Sequence, residues 1–371
     1  MTEERENKEV GLQESLIMYL DIADKLRECL RTIPTFTREA LADFFGVGIG
    51  SFSQDGPVIT YHQSGSHAAI SYVLKGTIFF ADKRQIIRGY PRILPASDYT
   101  TDRFAATQER TLFRTLRDGE VIVEKKEDGV NIRLYQRGNK KKGEYLFATR
   151  DVYDGSNPLV AAGIENVRGL GIDYGSSARK LIDKLYPQAY KLADLGYVLC
   201  FEMTLPEIET IIPADQPDMI LVDVIDPDFM FVDRLEKERI AEDYRLKLVD
   251  LHGRLTGGSE AGDIYKRLRS LEHLATRDGI EGYVVKGRFE GSDQTFLKVK
   301  PAVVRDAHRL FALTDLQAVW AALNEDFGSE ALADPEFAEE AMLDYLGSHG
   351  RNPRWQVQDF LADQIEKSRP D

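Results

Sequence analysis

Cysteine is almost missing from this sequence. Cys29 and Cys200 are the only two in 371 residues, far apart and without metal-type spacing. That excludes a disulfide framework and a structural zinc site, and it points to a reducing compartment. No apolar run approaches the roughly 18 residues of a membrane span. The opening stretch MTEERENKEVGLQ is charged and lacks the apolar core of a signal peptide. Basic excess is missing too. The net charge is −14, so nucleic acid would have to be held by a local basic surface. There is no internal repeat and no low-complexity tract. These absences predict a soluble, cytoplasmic protein with no membrane partner.

The acid is uneven. Residues 301–371 hold 6 Lys+Arg against 14 Asp+Glu, a net of −8. Along the chain, apolar residues at helical spacing predict a helix over 8–31, ended by Pro34, and a second over 37–45, stopped by Gly46. The β-branched and aromatic stretch 57–93 reads as short strands. EVIVEKK, VNIRLYQ and EYLFATR follow, separated by EDG and RGNKKKG, and predict an antiparallel meander. Residues 177–195 read helical with a kink at Pro187. YVLCFEMTL and MILVDVI read as strands, 233–250 and 262–277 as helices. EGYVVKG and TFLKVKPA read as two strands joined by RFEGSDQ. After Pro301 the pattern is helical. The outline is α+β in three parts: a small helical and β module over 1–93, a core of antiparallel sheets with flanking helices over 94–302, and a helical C-terminal domain over 303–371.

Several tempting motifs fail. GVGIG (46–50) has no following lysine and is no phosphate loop. The aspartates of DVIDPDFMFVDRLE lack the glycine that a calcium loop needs at its sixth position. His62 and His67 have no matching metal ligands. RGNKKKG reads equally as a phosphate contact or a solvated turn.

VIVEKKEDGVNIRLYQ (121–136) raises the sharper question. Taken alone, its charged Asp-Gly segment is an ordinary hairpin turn. Four elements stand downstream in order: Thr149-Arg150, Glu202 after an aromatic, Glu281 to Lys286 in EGYVVK, and Lys298 with Lys300 in KVK. Together with KEDG, this set resembles the covalent nucleotidyltransferases: ATP-dependent DNA and RNA ligases and mRNA capping enzymes. The likeness covers about 120–302. With RGYPRI (88–93) and KEDGVNIR it is most similar to the archaeal-type RNA ligases that circularise RNA.

The resemblance implies an ATP-grasp-like ligase fold in which Lys126, not Lys125, becomes a lysyl-adenylate. Asn131, Arg150 and Glu202 would touch the ribose. Lys286, Lys298 and Lys300 would grip the phosphates. Glu281 would enter the shell of Mg2+, or of Mn2+ in its place. Glu124, Asp128, Gly129 and Arg133 complete the ATP-binding set that the family implies. The reaction would join a 5′-phosphate to a 3′-hydroxyl of RNA, with single-stranded DNA as a further substrate, in RNA repair or circularisation. A homodimer stays open, as the C-terminal part is shorter than in that group. A DNA ligase and a non-catalytic nucleotide- or RNA-end-binding protein remain alternatives.

Two expectations follow from physical chemistry. A lysine attacks phosphorus only as the neutral amine, so neighbouring cations and partial burial are expected to lower the pKa of Lys126. Glu281 and Lys286 differ in strand parity, so Glu281 should precede the regular strand or sit at a bulge. The sequence places no aromatic within ILVDVI to stack on adenine, and Phe229 and Phe231 are the nearest.

Overall fold

The structure is a computed structural model. It describes residues 22–62, 69–91, 93–95, 120–138, 143–149, 153, 173–206, 210, 212–256, 261–288 and 294–304, with isolated positions beyond. The first part of the predicted helix 8–31, Arg150, His67, most of RGNKKKG and most of the C-terminal segment lie outside the described residues.

Helix α1 (Ile22–Thr32) buries Ile22, Ala23, Leu26 and Cys29 and ends two residues before Pro34. Helix α2 (Arg38–Phe45) is capped by the Thr37 hydroxyl and stopped by Gly46, whose φ of 65° suits glycine. They pack on a four-stranded sheet, β1 (Phe52–Asp55), β2 (Val58–Tyr61), β3 (Ile78–Phe80) and β4 (Gln85–Ile87), in that spatial order. Between β2 and β3 lies helix α3 (Ala69–Leu74), where strands were predicted. Its buried residues Ile70, Val73 and Leu74 fall at i, i+3 and i+4, a helical period that outweighs their β-branching.

The larger part of the chain forms two further sheets. One runs β10 (Asp218–Ile225), β9 (Val198–Thr204), β7 (Val130–Arg137), β8 (Glu144–Ala148). The other runs β11 (Leu251–Thr256), β6 (Glu120–Lys126), β12 (Gly282–Arg288), β13 (Gln294–Val299), β5 (Leu94–Pro95). The predicted meander is therefore half wrong. β7 and β8 form an antiparallel pair, but β6 and β7 lie in different sheets. Each finds a partner far along the chain: β6 pairs with β12 and β11, and β7 with β9. The Asp-Gly segment is a corner between sheets, not a hairpin.

Helices α4 (Tyr174–Leu185) and α5 (Ala189–Asp194) cover the outer face of the β10-β9-β7-β8 sheet. Pro187 separates them completely, since it cannot continue the first helix. Helix α6 (Arg234–Asp243) ends earlier than expected, and residues 251–256, not predicted as a strand, form β11. Helix α7 (Ala261–Asp278) lays Leu268, Leu271 and Ala275 on Val121, Val123, Tyr283, Val285, Leu297 and Val299. The opposite faces of the two large sheets meet through Tyr135, Ala148, Cys200, Ile225, Val284 and Phe296. By period-two alternation, that inner side also carries Lys126, Glu124, Lys286, Asn131 and Glu202.

The chain divides into two compact units. All the elements named above belong to the first, which ends at Pro301. The described positions 302–304, Trp320, Ala338, Met342, Phe360 and Leu361 belong to the second and are helical. Among the described residues no helix is long and apolar enough to cross a membrane.

Candidate active site

Lys126 is the last residue of β6 and pairs across with Gly282. Glu127, Asp128 and Gly129 turn the chain into the second sheet, where Val130 pairs with Met203. The turn must pass close to β9. A Cβ on Gly129 would stand 2.3 Å from the Met203 carbonyl oxygen, so only glycine fits. The Asp128 carboxylate accepts a 3.0 Å hydrogen bond from the Ile212 amide and ties the corner to the loop after β9. Lys125 points to the other face and pairs with Glu127 at 3.0 Å.

The Lys126 ammonium donates to Glu281 Oε2 at 2.5 Å and to the Glu127 carbonyl at 3.1 Å. The Lys300 ammonium pairs with the other oxygen of Glu281. Glu281 is almost wholly buried, at 2% exposure, and sits between the two amines. It lies immediately before β12, which resolves the parity problem. Gly282 makes this possible. Its φ is 151°, and a Cβ there would meet the Val299 carbonyl oxygen at 2.2 Å.

The electrostatics overturn one expectation. Burial does push Lys126 towards the neutral amine, but the charges of Glu281 and then Glu202 more than reverse it, and its pKa is raised. Those charges hold the Lys126 side chain as an ammonium. Lys300 goes the other way: burial, helped by the like charge of Lys126, lowers its pKa despite Glu281.

Asn131 and Glu202 stand directly opposite each other on β7 and β9. The Asn131 amide donates to the Phe201 carbonyl at 3.3 Å, while its buried Oδ1 has no hydrogen-bond partner among the described residues. Burial, opposed by Lys126 but joined by the charges of Glu281 and Asp128, drives the Glu202 carboxyl up to about 7. Three carboxylates, Glu281, Glu202 and Asp128, thus act on two amines, Lys126 and Lys300. Carboxylate oxygens are the hard donors that a divalent cation takes. Among the described residues no group of three His, Cys, Asp or Glu is placed to hold a metal ion. Most of such an ion's shell would be phosphate oxygen and water, with Glu281 as the protein's share.

Other expected site residues have different company. Glu124 is buried and pairs with Lys286, Lys237 and Arg234. Burial raises its pKa, but the charges of Lys286 and Lys237 bring it down to about 2. Lys286 donates to Asp223 at 2.7 Å and to the Val222 carbonyl at 3.0 Å, deep between the sheets. Arg133 is buried and faces backbone carbonyls. It donates to the carbonyls of Gly76, Arg88 and Thr149, pinning the end of β8 to the N-terminal sheet. Lys298 lies opposite Val284 on the inner face and is partly exposed. Phe231 is packed between Tyr90 and Phe296, and Phe229 belongs to the N-terminal core, so both rings are buried. Sequence reasoning missed Tyr90, Asp223, Arg234 and Lys237. The signal was present in MILVDVI, where a lone aspartate interrupts an apolar strand and must find buried cations.

No family model and no curated protein matches the chain. Among the solved structures that it is similar to are RNA and DNA ligases. An archaeal ATP-dependent RNA ligase shares 14% identity at a TM-score of 0.49, over 90% of this chain and 79% of that one. A putative ATP-dependent DNA ligase from Aquifex aeolicus shares 19% at 0.42, over 85% and 77%. Naegleria gruberi RNA ligase, with pyrophosphate, shares 13% at 0.41, over 60% and 58%.

Proposed function

We propose that the chain is an ATP-dependent RNA ligase that works through an adenylate on Lys126. The observation that carries this reading is the direct contact of Lys126 with Glu281, 155 residues away, in a cluster with Lys300, Asn131 and Glu202. Residue types that the family's chemistry needs, scattered over 126–300, converge on one amine.

In the first step the Lys126 ammonium gives up its proton, with Glu281 as the acceptor in contact. The free amine then attacks the α-phosphorus of ATP. An N–P bond forms, the bond from Pα to the bridging oxygen breaks, and pyrophosphate leaves. Lys300 and Lys298 face the charge that builds on the α-phosphate. A divalent cation, Mg2+ or Mn2+, would when bound neutralise charge on the leaving pyrophosphate. The Asn131 Oδ1 and the Glu202 carboxyl would accept hydrogen bonds from the ribose hydroxyls. In the second step AMP passes from Lys126 to a 5′-phosphate, forming a pyrophosphate bond. In the third a 3′-hydroxyl attacks the original 5′-phosphorus and AMP departs. The work is mainly positioning and electrostatics.

RNA is preferred over DNA because Asn131 stands where DNA ligases usually carry arginine. The test offers 5′-phosphorylated single-stranded RNA and 5′-phosphorylated nicked DNA in parallel. Sealing or circularisation of the RNA, with nicked DNA joined at least about tenfold more slowly, is expected. Equal or faster sealing of the DNA would move the protein to the DNA ligases. The raised Lys126 pKa lends some weight to a second reading, a binding protein that keeps the fold.

A further inference from the structure

Behind the site lies a buried cluster that the reaction above does not use. Glu124 on β6 and Lys286 on β12 belong to one sheet, and Asp223 on β10 belongs to the other. Arg234 and Lys237 reach in from α6. All five are at most 7% exposed. Lys237 bridges the sheets, donating to Glu124 Oε1 at 2.7 Å on one and to the Val222 carbonyl at 2.7 Å and Asp223 Oδ1 at 3.2 Å on the other. Lys286 makes a second bridge to Asp223. The Tyr90 hydroxyl donates to Asp223 at 2.6 Å, and Arg234 donates to Glu124 at 2.7 Å and to the Val249 carbonyl at 3.1 Å.

The two sheets that this cluster joins are the two walls of the candidate site. Lys126, Glu281 and Lys300 come from one sheet or its strand ends, and Asn131 and Glu202 from the other. Glu124 is two residues from Lys126 on the same strand face. The corner at Glu127–Gly129 joins the walls at one place, and the buried cluster joins them at another.

We propose that Lys237, acting through Glu124 and Asp223, is a strut that sets the spacing of the two walls and so positions Lys126 for its reaction. This rests on the ligase reading. Lys237 touches no reacting atom and is a positioning residue. Reactions run by alignment are sensitive to such spacing, since a displacement of about 1 Å can cost about a hundredfold.

Charge makes the test clean. The cluster holds three cations against two carboxylates, so Lys237→Met leaves two of each. Glu124 keeps Arg234 and Lys286, and Asp223 keeps Lys286, so the change strands no buried carboxylate, which is what makes removing one partner of a buried pair costly. Wild type and Lys237→Met, both full-length and freed of bound AMP, are compared for the rate and ATP concentration dependence of lysyl-adenylate formation. Thermal melts accompany them. The expected result is a maximal rate at least about tenfold lower, KM for ATP within about threefold, and an unchanged melt. A wild-type rate in the variant overturns the strut. A loss of rate that merely follows loss of folded protein also overturns it, since Lys237 would then serve stability alone. If Lys237→Met does not fold, Tyr90→Phe removes only the hydroxyl that donates to Asp223: a lower rate at constant KM supports the strut, and an unchanged rate overturns it. No adenylate on wild type is a different failure, which removes the ligase reading itself.

Discussion

At the scale of single residues, the site sets two carboxylates to different tasks. Glu281 is fully engaged by two amines, whereas Glu202 is buried among other carboxylates and held up to about 7 from an ordinary 4.5. A raised carboxyl favours the fold while protonated. That contribution is complete below about 4.5 and is lost as pH rises through about 7. Glu202→Gln, which cannot ionise, is therefore expected to be more stable than wild type at pH 8, by up to about 3 kcal/mol, with the gap closing towards pH 5. Urea unfolding at the two pH values checks this. A difference independent of pH would show that the carboxyl does not titrate as its surroundings demand. The same variant should bind ATP more weakly, because a carboxylate acceptor for the sugar is gone. A residue that costs stability where it serves binding is what a functional site leads one to expect. The motifs single out Lys126, Asn131, Glu202, Glu281 and Lys300, and the structure brings them together. The sequence could not name the protonation of Lys126, which depends on carboxylates brought from 76 and 155 residues away.

At the scale of elements, most strands and helix ends were legible. Alternation marked β7, β9 and β12, while Thr37, Gly46, Pro187 and Gly196 punctuated the helices as their backbone preferences require. The corner at Asp128–Gly129 was not legible. Local pattern suggests that consecutive strands pair, but only tertiary contact decides that β6 joins β12 and β7 joins β9. The same limit hid β11, a strand made by pairing with β6, and Arg133, whose carbonyl partners come from the N-terminal sheet and β8. Gly129→Ala tests the corner. Its new Cβ would press on the Met203 carbonyl, so the variant should lose about 1–3 kcal/mol of stability in denaturant titration. It should also lose most adenylylation, because Lys126 and Asn131 stand on either side of the turn. Wild-type stability and activity would mean that the corner relaxes without harm.

At the scale of the whole molecule, the acid and the candidate chemistry are separated along the chain. Residues 301–371 carry −8 of the net −14, while every residue assigned to the site lies before Pro301 in the first unit. On the proposed reading the first unit delivers a single reactive amine, built from a corner, a strand start and a strand end that lie far apart in sequence. The most direct measurement follows from that. Full-length protein freed of bound AMP is mixed with Mg2+ and ATP labelled at the α-phosphate, denatured, and assayed for label on the polypeptide beside Lys126→Ala. Label stable to denaturation on wild type and absent from the variant is the predicted result. Unlabelled wild type, or equal label on both proteins, would contradict the assignment of Lys126 as the nucleophile.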